Sequence, residues 1–309
     1  MVIMLHLQFL LITIPGIICI SNITNNIIMA TVESRMTFLE PWVNKTEEPY
    51  VRGKTSDLYP RTNFTNLDYS VLVQDARPEK ESFNLDTHGF AFYDSDPPAD
   101  SIIQAVRTRD RQQVEEFYYP EVEDLVKRKT GASKVIIFDH TYRRRDPSLA
   151  VNENPNGREQ PATVVHCDQS ASGAIGRVRR HAGEYAEKLL RGRAQIINVW
   201  RPIHGTVADW PLAVMDYRSL KDSEVHATSI FSQEFDIQGS TVSINYGKDQ
   251  QWYYLDQQRT DEVTFIKIWD SKDGVAKMCP HCAFLHPQAP ANGPLRESVE
   301  VRCLVFYES

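Results

Sequence analysis

The sequence predicts a mainly β protein with flanking helices, arranged as a sandwich or jelly roll. Short runs rich in β-branched and aromatic residues recur along the second half of the chain, and turn-rich segments separate them. Strands and helices do not alternate as they do in parallel α/β folds, and the sequence contains neither an internal repeat nor a glycine-rich phosphate loop. With 41% hydrophobic and 24% charged residues, the composition is that of an ordinary globular domain.

The first 28 residues differ in character from the rest. Residues 3–20 are mostly apolar, like the hydrophobic region of a signal peptide, but no lysine or arginine precedes them and Pro15 interrupts them. This run is short for a bilayer, so no stable membrane span is expected. We expect a mis-called translation start, with Met29 as the first residue of a cytoplasmic protein. The alternative is a signal-like or anchor-like extension leading to the secretory pathway or a membrane, and three Asn-x-Ser/Thr sequons fit it.

Charge and cysteine usage narrow the class of function. The net charge of −7 argues against a nucleic-acid-binding surface, so the expected partner is a small molecule. The five cysteines are an odd number without the spacing of a disulfide framework, which favours a reducing compartment. Nothing in the sequence indicates an oligomeric state.

The residues before the main run of strands are expected to form an arm and helices. Residues 29–100 are rich in proline, aspartate, asparagine and threonine, and predict an irregular, strand-containing arm. Between residues 100 and 130 apolar side chains recur at helical spacing, with an N-cap signal before them and a glycine after them. We therefore expect residues 29–309 to form one domain, in which residues 29–130 pack on a β core formed by residues 131–309.

The β core itself is predicted from apolar runs bounded by turn residues. The expected strands are residues 134–138, 194–200, 214–217, 240–246, 251–255, 263–269 and 299–307. Residues 146–162 are rich in proline and asparagine and predict a surface loop. Residues 177–193 predict a helix between the first two strands.

A short motif at the end of a predicted strand is the first indication of a functional site. Val164 and Val165 lead into His166 and Asp168, which alternation along a strand places on the same face. Imidazole and carboxylate can therefore converge on a divalent metal. A second histidine from a distant strand would complete the 2-His-1-carboxylate triad of non-haem iron(II) oxygenases, which leaves positions open for a cosubstrate and dioxygen. The alternative is a surface histidine hydrogen-bonded to a nearby acid.

The downstream candidates for the third ligand are His181, His204, His226, His281 and His286. His281 is favoured because it follows a strong predicted strand and a turn. Arg296 and Ser298 then open the terminal strand, and an arginine fork can hold the distal carboxylate of a metal-bound 2-oxo acid. A histidine followed by Arg-x-Ser is the order expected of 2-oxoglutarate oxygenases. Arg302 lies further along the same strand and is the alternative anchor, with Arg296 favoured.

Two cysteines around His281 allow a different interpretation. Cys279 and Cys282 have Cys-x-x-Cys spacing, which is also found in zinc sites and redox pairs. The sequence has no second such pair and no thioredoxin-like βαβ pattern around this one, so the metal triad is favoured. Cys167 lies between two proposed ligands and should face the other side of the strand as a small core residue.

Seven segments carry a further signal, namely residues 138–145, 165–169, 177–181, 190–203, 211–214, 252–254 and 294–302. They resemble the fungal AsaB-type hydroxylase/desaturase family, also described as CmcJ-like or gibberellin-desaturase-like, and the resemblance runs from about residue 34 to the C-terminus. It implies a double-stranded β-helix core that uses Fe(II), 2-oxoglutarate and dioxygen to hydroxylate or desaturate a small metabolite of fungal secondary metabolism. By motif, it implies that His166, Asp168 and His281 bind the iron.

The resembling segments also supply pocket candidates, for which ordinary packing is the alternative: Gln169, Asn198, Trp200, Arg201, Tyr253 and Tyr254. The chain departs from the family pattern at Cys167 and Cys282, neither of which is at a ligand position. Two other functions stay open. One is a zinc-dependent hydrolase that uses the same ligands with a metal-activated water, and the other is a catalytically inactive ligand-binding module of the same fold.

Overall fold

The computed structural model describes residues 30–43, 45–53, 55, 60–150, 160–232 and 237–308. The expectations for residues 1–28, for a start at Met29 and for the sequons at Asn22 and Asn44 lie outside these ranges. Among the described residues, none of the helices combines the length and the hydrophobicity that crossing a bilayer requires.

Two β-sheets form the core of the described structure. The strands are β1 Thr31–Leu39, β2 Tyr50–Arg52, β3 Asn66–Asp75, β4 Phe90–Asp94, β5 Lys134–Arg144, β6 His166–Cys167, β7 Ala194–Pro202, β8 Leu212–Met215, β9 Val225–Phe231, β10 Ile237–Ile244, β11 Trp252–Tyr254, β12 Glu262–Asp270, β13 His281–Ala283 and β14 Glu297–Phe306. The nine-stranded sheet has the order β1-β3-β11-β8-β13-β6-β10-β9-β2, and the five-stranded sheet has the order β4-β12-β7-β14-β5. Within the sheets, neighbouring strands are antiparallel except for β11 with β3 and β2 with β9.

The helices cover one face of the five-stranded sheet and one end of the core. They are α1 Asp100–Thr108, α2 Arg111–Gln113, α3 Tyr119–Thr130, α4 Ala171–Ala182 and α5 Ala186–Leu189, with a π-helical stretch at Val114–Tyr118 between α2 and α3. Apolar side chains of α1 and α3 pack on the outward side chains of β7 and β14. The inward side chains of the same strands pack against the nine-stranded sheet. The predicted jelly roll with flanking helices is therefore confirmed.

Strand β7 lies at the centre of the five-stranded sheet and is buried on both faces. All its residues are buried because helices cover one face and the other sheet covers the second. Ile197 and Val199 face the helices, whereas Ile196 and Trp200 face the other sheet. The polar Asn198 is fully buried on that inner side, where it needs a polar partner.

Several predicted boundaries shift in the structure. The strand predicted at residues 134–138 continues to Arg144, because the polar residues that follow pair with β14. The helix predicted at residues 177–193 begins at Ala171, where the Ser170 side chain accepts a hydrogen bond from Gly173 N, and it is broken after Ala182. The described ends of the loop predicted at residues 146–162 contain turns but neither helix nor strand.

Candidate metal centre and its cavity

Two short strands bring the three predicted ligands together. His281 on β13 pairs directly with His166 on β6, and their ring centroids are 4.6 Å apart. Asp168 follows β6, and one ligand atom from each of the three residues lies within 4.8 Å of the other two. Alternation turns Cys167 away into the core, where it is fully buried. Across the part of the chain that the structure describes, this is the only such cluster of metal-ligating side chains.

Backbone carbonyl groups orient both imidazoles. The Nδ1 atom of His166 lies 2.8 Å from Val164 O, and that of His281 lies 3.0 Å from Cys279 O. A carbonyl oxygen only accepts hydrogen bonds, so each Nδ1 must carry the proton. When the ring is neutral, each Nε2 atom then has a free lone pair, which is the form of histidine that binds a metal.

Asp168 is oriented by two donors on one of its oxygens. Asn198 Nδ2 donates to Asp168 Oδ2 at 2.8 Å and Arg302 Nε donates to the same atom at 3.0 Å. The other oxygen, Oδ1, lies 3.3 Å from His166 Nε2 and points to the centre of the cluster. The group can therefore offer a metal one oxygen.

The charge states of Asp168 and His281 suit metal binding, whereas protons compete with a metal at His166. Burial opposes ionisation of the Asp168 carboxyl, but Arg302 and His166 outweigh burial and hold its pKa well below the usual range. Burial, followed by the proximity of His166, lowers the pKa of His281 and keeps it neutral. Burial also disfavours the charged form of His166, yet its contact with Asp168 raises its pKa overall.

A cavity lies beside these residues. Its lining consists of Thr141, Arg143, Ala162, His166, Asp168, Trp200, Leu212, His281, Cys282, Ala283, Arg296, Ser298 and Glu300. Alternation along β14 supplies Ser298 and Glu300, with Arg296 two residues before Ser298. The predicted triad and the predicted Arg-x-Ser pair therefore share one cavity.

Arg296 is a buried cation without a carboxylate partner among the described residues. It is 3% exposed, and its Nη1 and Nε atoms donate to Trp210 O at 2.7 Å and to Ser298 Oγ at 3.4 Å. Its guanidinium carbon lies 4.9 Å from the centroid of the Trp200 ring. Burial lowers the pKa of Arg296 to about 9, and the charge of nearby Arg143 acts in the same direction. An anion that enters the cavity would stabilise this side chain.

Arg302 differs because carboxylates already surround it. Its guanidinium pairs with Asp168 at 3.0 Å, with Glu300 at 2.8 Å and with Asp139 at 3.3 Å. It also donates to Thr141 Oγ1 at 2.6 Å. Burial acts against the charged form, but these acids raise the pKa of Arg302 overall. Unlike Arg296, it does not line the cavity.

Two of the six pocket candidates lie at this centre. Trp200 lines the cavity and stacks on Arg296, while Asn198 holds Asp168. Gln169 lines separate surface grooves next to α4. Arg201 faces the opposite side of β7, where it donates to Asp96 O and Ser95 Oγ.

The two tyrosine candidates also lie away from the cavity. Tyr253 packs against the Phe83 and Phe90 rings in the core, with ring centroids 4.9 and 5.9 Å apart. The hydroxyl group of Tyr254 lies 3.2 Å from His286 Nε2. Both tyrosines are buried among other aromatic residues, which is the ordinary packing given above as the alternative to a pocket role.

Among the cavity residues that were not predicted from the sequence, three have charged or hydroxyl side chains: Glu300, Thr141 and Arg143. Glu300 lies two residues after Ser298 on β14, so alternation along that strand could have identified it. Thr141 and Arg143 reach the cavity because β5 places them opposite Glu300 and Ser298. That register depends on the pairing of strands far apart in sequence, which no local pattern reveals.

The Cys-x-x-Cys pair does not assemble a second metal site in the described residues. Both thiols are buried and free, and no metal-ligating cluster contains either of them. Burial raises the pKa of the Cys282 thiol to about 12, which disfavours the thiolate that zinc binding or redox exchange requires.

Comparisons with known proteins agree with this geometry. A family model described as an oxidoreductase/YMDC permease-like domain matches residues 36–306. The chain is 38% identical over 274 residues to the Fe(II)/2-oxoglutarate-dependent dioxygenase nvfI of Aspergillus novofumigatus, covering 89% of this chain and 96% of that protein. It is 34% identical over 266 residues to the hydroxylase/desaturase efuI of Hormonema carpetanum, covering 79% and 86%.

The fold matches a solved structure of the same kind. The iron and alpha-ketoglutarate-dependent endoperoxidase NvfI superposes with a TM-score of 0.82 at 36% identity, covering 90% of this chain and 99% of that one. Sequence and fold thus agree over nearly the whole length of both proteins. The chain belongs to the family of Fe(II)/2-oxoglutarate-dependent dioxygenases and hydroxylase/desaturases of fungal secondary metabolism.

Proposed function

We propose that this oxygenase hydroxylates or desaturates a small organic metabolite at an iron held by His166, Asp168 and His281. The observation that carries the proposal is the convergence of two histidine Nε2 atoms and Asp168 Oδ1, each oriented by a hydrogen bond on its other polar atom. Bound Fe(II) supplies the redox chemistry that couples oxidative decarboxylation of 2-oxoglutarate to oxidation of a C–H bond. The protein supplies the ligand geometry and the cavity beside the metal ligands.

Arg296 and Ser298 anchor the distal carboxylate of 2-oxoglutarate in this proposal. Arg296 is buried in the cavity without an ion pair within the described ranges, and Ser298 Oγ lies 3.4 Å from its Nε atom. A carboxylate placed there gains a charge-assisted hydrogen bond and neutralises a buried cation. Arg302 is the weaker candidate because Asp168, Glu300 and Asp139 already pair with it.

The reaction is tested by reconstitution. The purified protein, loaded with Fe(II) and 2-oxoglutarate without oxygen and then aerated, should form succinate, whereas Zn(II) in place of Fe(II) should give none. His166→Ala, Asp168→Ala and His281→Ala should each abolish succinate formation, and replacing the exposed His204 with alanine should not. A wild-type protein that binds zinc but forms no succinate with Fe(II) would support the hydrolase alternative instead.

We infer further that residues 29–309 form one cytoplasmic domain. Strands β2 and β3 pair with the later strands β9 and β11 of the nine-stranded sheet, and β1 pairs with β3. The four cysteines in the described residues are free and buried, as a reducing compartment would leave them. A chain beginning at Met29 should therefore form succinate as fast as the full chain. Loss of activity on removing residues 1–28, together with a glycan at Asn63, would indicate secretion.

A further inference from the structure

Arg143 is a second cation in the cavity with no role in the proposed function. Its guanidinium donates to Gln160 O at 2.9 Å, and among the described residues it forms no ion pair with a carboxylate. The charge of Arg143 lies close enough to Arg296 to disfavour the charged form of that side chain. Two guanidinium groups in one cavity repel each other unless an anion lies between them.

The strand register places Arg143 beside the proposed anchor. On β14 the inward residues Ser298 and Glu300 lie opposite Arg143 and Thr141 of β5. Neighbouring strands are roughly 5 Å apart, so Arg143 and Ser298 are adjacent on the inner face of the sheet. Arg143 therefore lies level with the Arg296–Ser298 pair rather than with Arg302.

The distribution of charge also leaves Arg143 without an ion pair to a carboxylate among the described residues. The two acids that line the cavity, Asp168 and Glu300, both pair with Arg302, at 3.0 and 2.8 Å. Arg143 and Arg296 thus remain as two positive charges with no carboxylate in contact. Each oxygen of a single incoming carboxylate can accept from one guanidinium group.

We propose that Arg143 and Arg296 together clamp the distal carboxylate of 2-oxoglutarate, with Ser298 donating a third hydrogen bond. The inference rests on the proposed function and adds a cosubstrate-binding residue on a second strand. In this role Arg143 binds the end of the 2-oxo acid that does not react. The alternative is that Arg143 only fixes the segment at Gln160 through its hydrogen bond to that carbonyl group.

The experiment measures binding rather than turnover. The dissociation constant of 2-oxoglutarate is determined by calorimetry on the Mn(II)-loaded protein without oxygen, for wild type, Arg143→Gln, Arg143→Lys and Arg296→Gln. The matched control is Arg144→Gln, because Arg144 is the next residue on β5 and faces the opposite side of the sheet. A second titration uses 2-oxovalerate, which has the same carbon chain but no distal carboxylate.

We expect Arg143→Gln to raise the dissociation constant of 2-oxoglutarate about tenfold or more, the loss of one charge-assisted contact. Arg143→Lys should give an intermediate value and Arg144→Gln no change. The binding of 2-oxovalerate should change much less than that of 2-oxoglutarate in Arg143→Gln. These results together would identify a contact with the distal carboxylate.

Two results would overturn the clamp. Unchanged 2-oxoglutarate binding in Arg143→Gln would assign the residue to the organic substrate or to the Gln160 segment. Equal weakening of both 2-oxo acids, in Arg143→Gln and in the charge-retaining Arg143→Lys, would indicate a structural effect on the whole site. Neither result contradicts the proposed function, which fails if the wild-type protein binds no 2-oxoglutarate in the presence of metal or forms no succinate with Fe(II).

Discussion

Arg302 Nε donates to Asp168 Oδ2 at 3.0 Å, and this contact separates the two arginines of the terminal strand. Together with Asn198 it occupies one oxygen of the carboxylate and leaves the other directed at the two histidines. Hydrogen-bonding partners of this kind fix the geometry of a metal ligand. Arg302 therefore acts on the metal centre, whereas Arg296 faces the cavity.

Arg302→Gln should weaken metal binding rather than cosubstrate binding. Without the guanidinium, Asp168 loses its main cationic neighbour and one of the two donors to Oδ2. We expect the affinity for Fe(II) or Mn(II) to fall about 10- to 100-fold, with little change in 2-oxoglutarate affinity once metal is saturating. Calorimetric titration with metal measures the first quantity. An unchanged metal affinity combined with a large loss of 2-oxoglutarate affinity would make Arg302 the anchor.

Arg296→Lys should have the complementary effect. Lysine keeps the charge but loses the planar fork that holds a carboxylate by two hydrogen bonds. Impairing a buried charged pair costs on the order of 2–5 kcal/mol when one partner is lost, so we expect the KM for 2-oxoglutarate to rise at least about tenfold. The KM for the organic substrate and the metal affinity should barely change. Steady-state succinate formation at varied 2-oxoglutarate makes the measurement.

Much of the fold and of the metal triad follows from local sequence patterns. Alternating residues around His166 and Asp168 predict a shared face, and the Arg-x-Ser pair at the start of β14 predicts an anchor by the same rule. The Cys-x-x-Cys spacing around His281 is the main pattern that favours a different site, a zinc site or a redox pair. Both thiols are free and buried, as in ordinary core cysteines. Patterns of this kind are local, so they can be recognised without knowledge of the tertiary structure.

The partners of these residues could not be predicted because they depend on strand pairing. Arg302 and Asp168 are separated by 134 residues, and only the packing of β14 against the opposite sheet brings them into contact. Arg143 faces the cavity because it pairs with Ser298, in a polar part of β5 that lacks the apolar signal of a strand. Helix α4 was predicted to begin too late because Gly173 and Gly176 weaken its first turns, whereas the Ser170 cap starts it.

Metal affinity should fall as the solution is acidified from about pH 8 to about pH 6. The contact with Asp168 outweighs burial and raises the pKa of His166 above its ordinary value of 6.5 in the metal-free protein. Protons therefore compete with metal for His166 at a pH higher than for a free imidazole. His281 contributes little in this range because burial lowers its pKa. Mn(II) titrations at several pH values make the measurement, and a flat profile would contradict the raised pKa.

Gly89→Ala should damage both the fold and the metal centre. Gly89 has a φ of +86°, and a Cβ atom there would lie 2.6 Å from Met278 O. The strained conformation and the clash should together lower the free energy of unfolding by about 2–4 kcal/mol. Urea denaturation measures that change. Because His281 donates to Cys279 O, a shift of the backbone at Met278 should also displace a proposed iron ligand.

Gly131→Ala is the matched control for this substitution. Gly131 also has a positive φ, +73°, at the end of α3, but a Cβ atom there would meet nothing within 4 Å. The strain alone should cost about 1 kcal/mol, and metal affinity should stay at the wild-type value. The difference between the two variants isolates the contact between Gly89 and Met278. If both lose stability equally and both keep wild-type metal affinity, the contact with Met278 does not position His281.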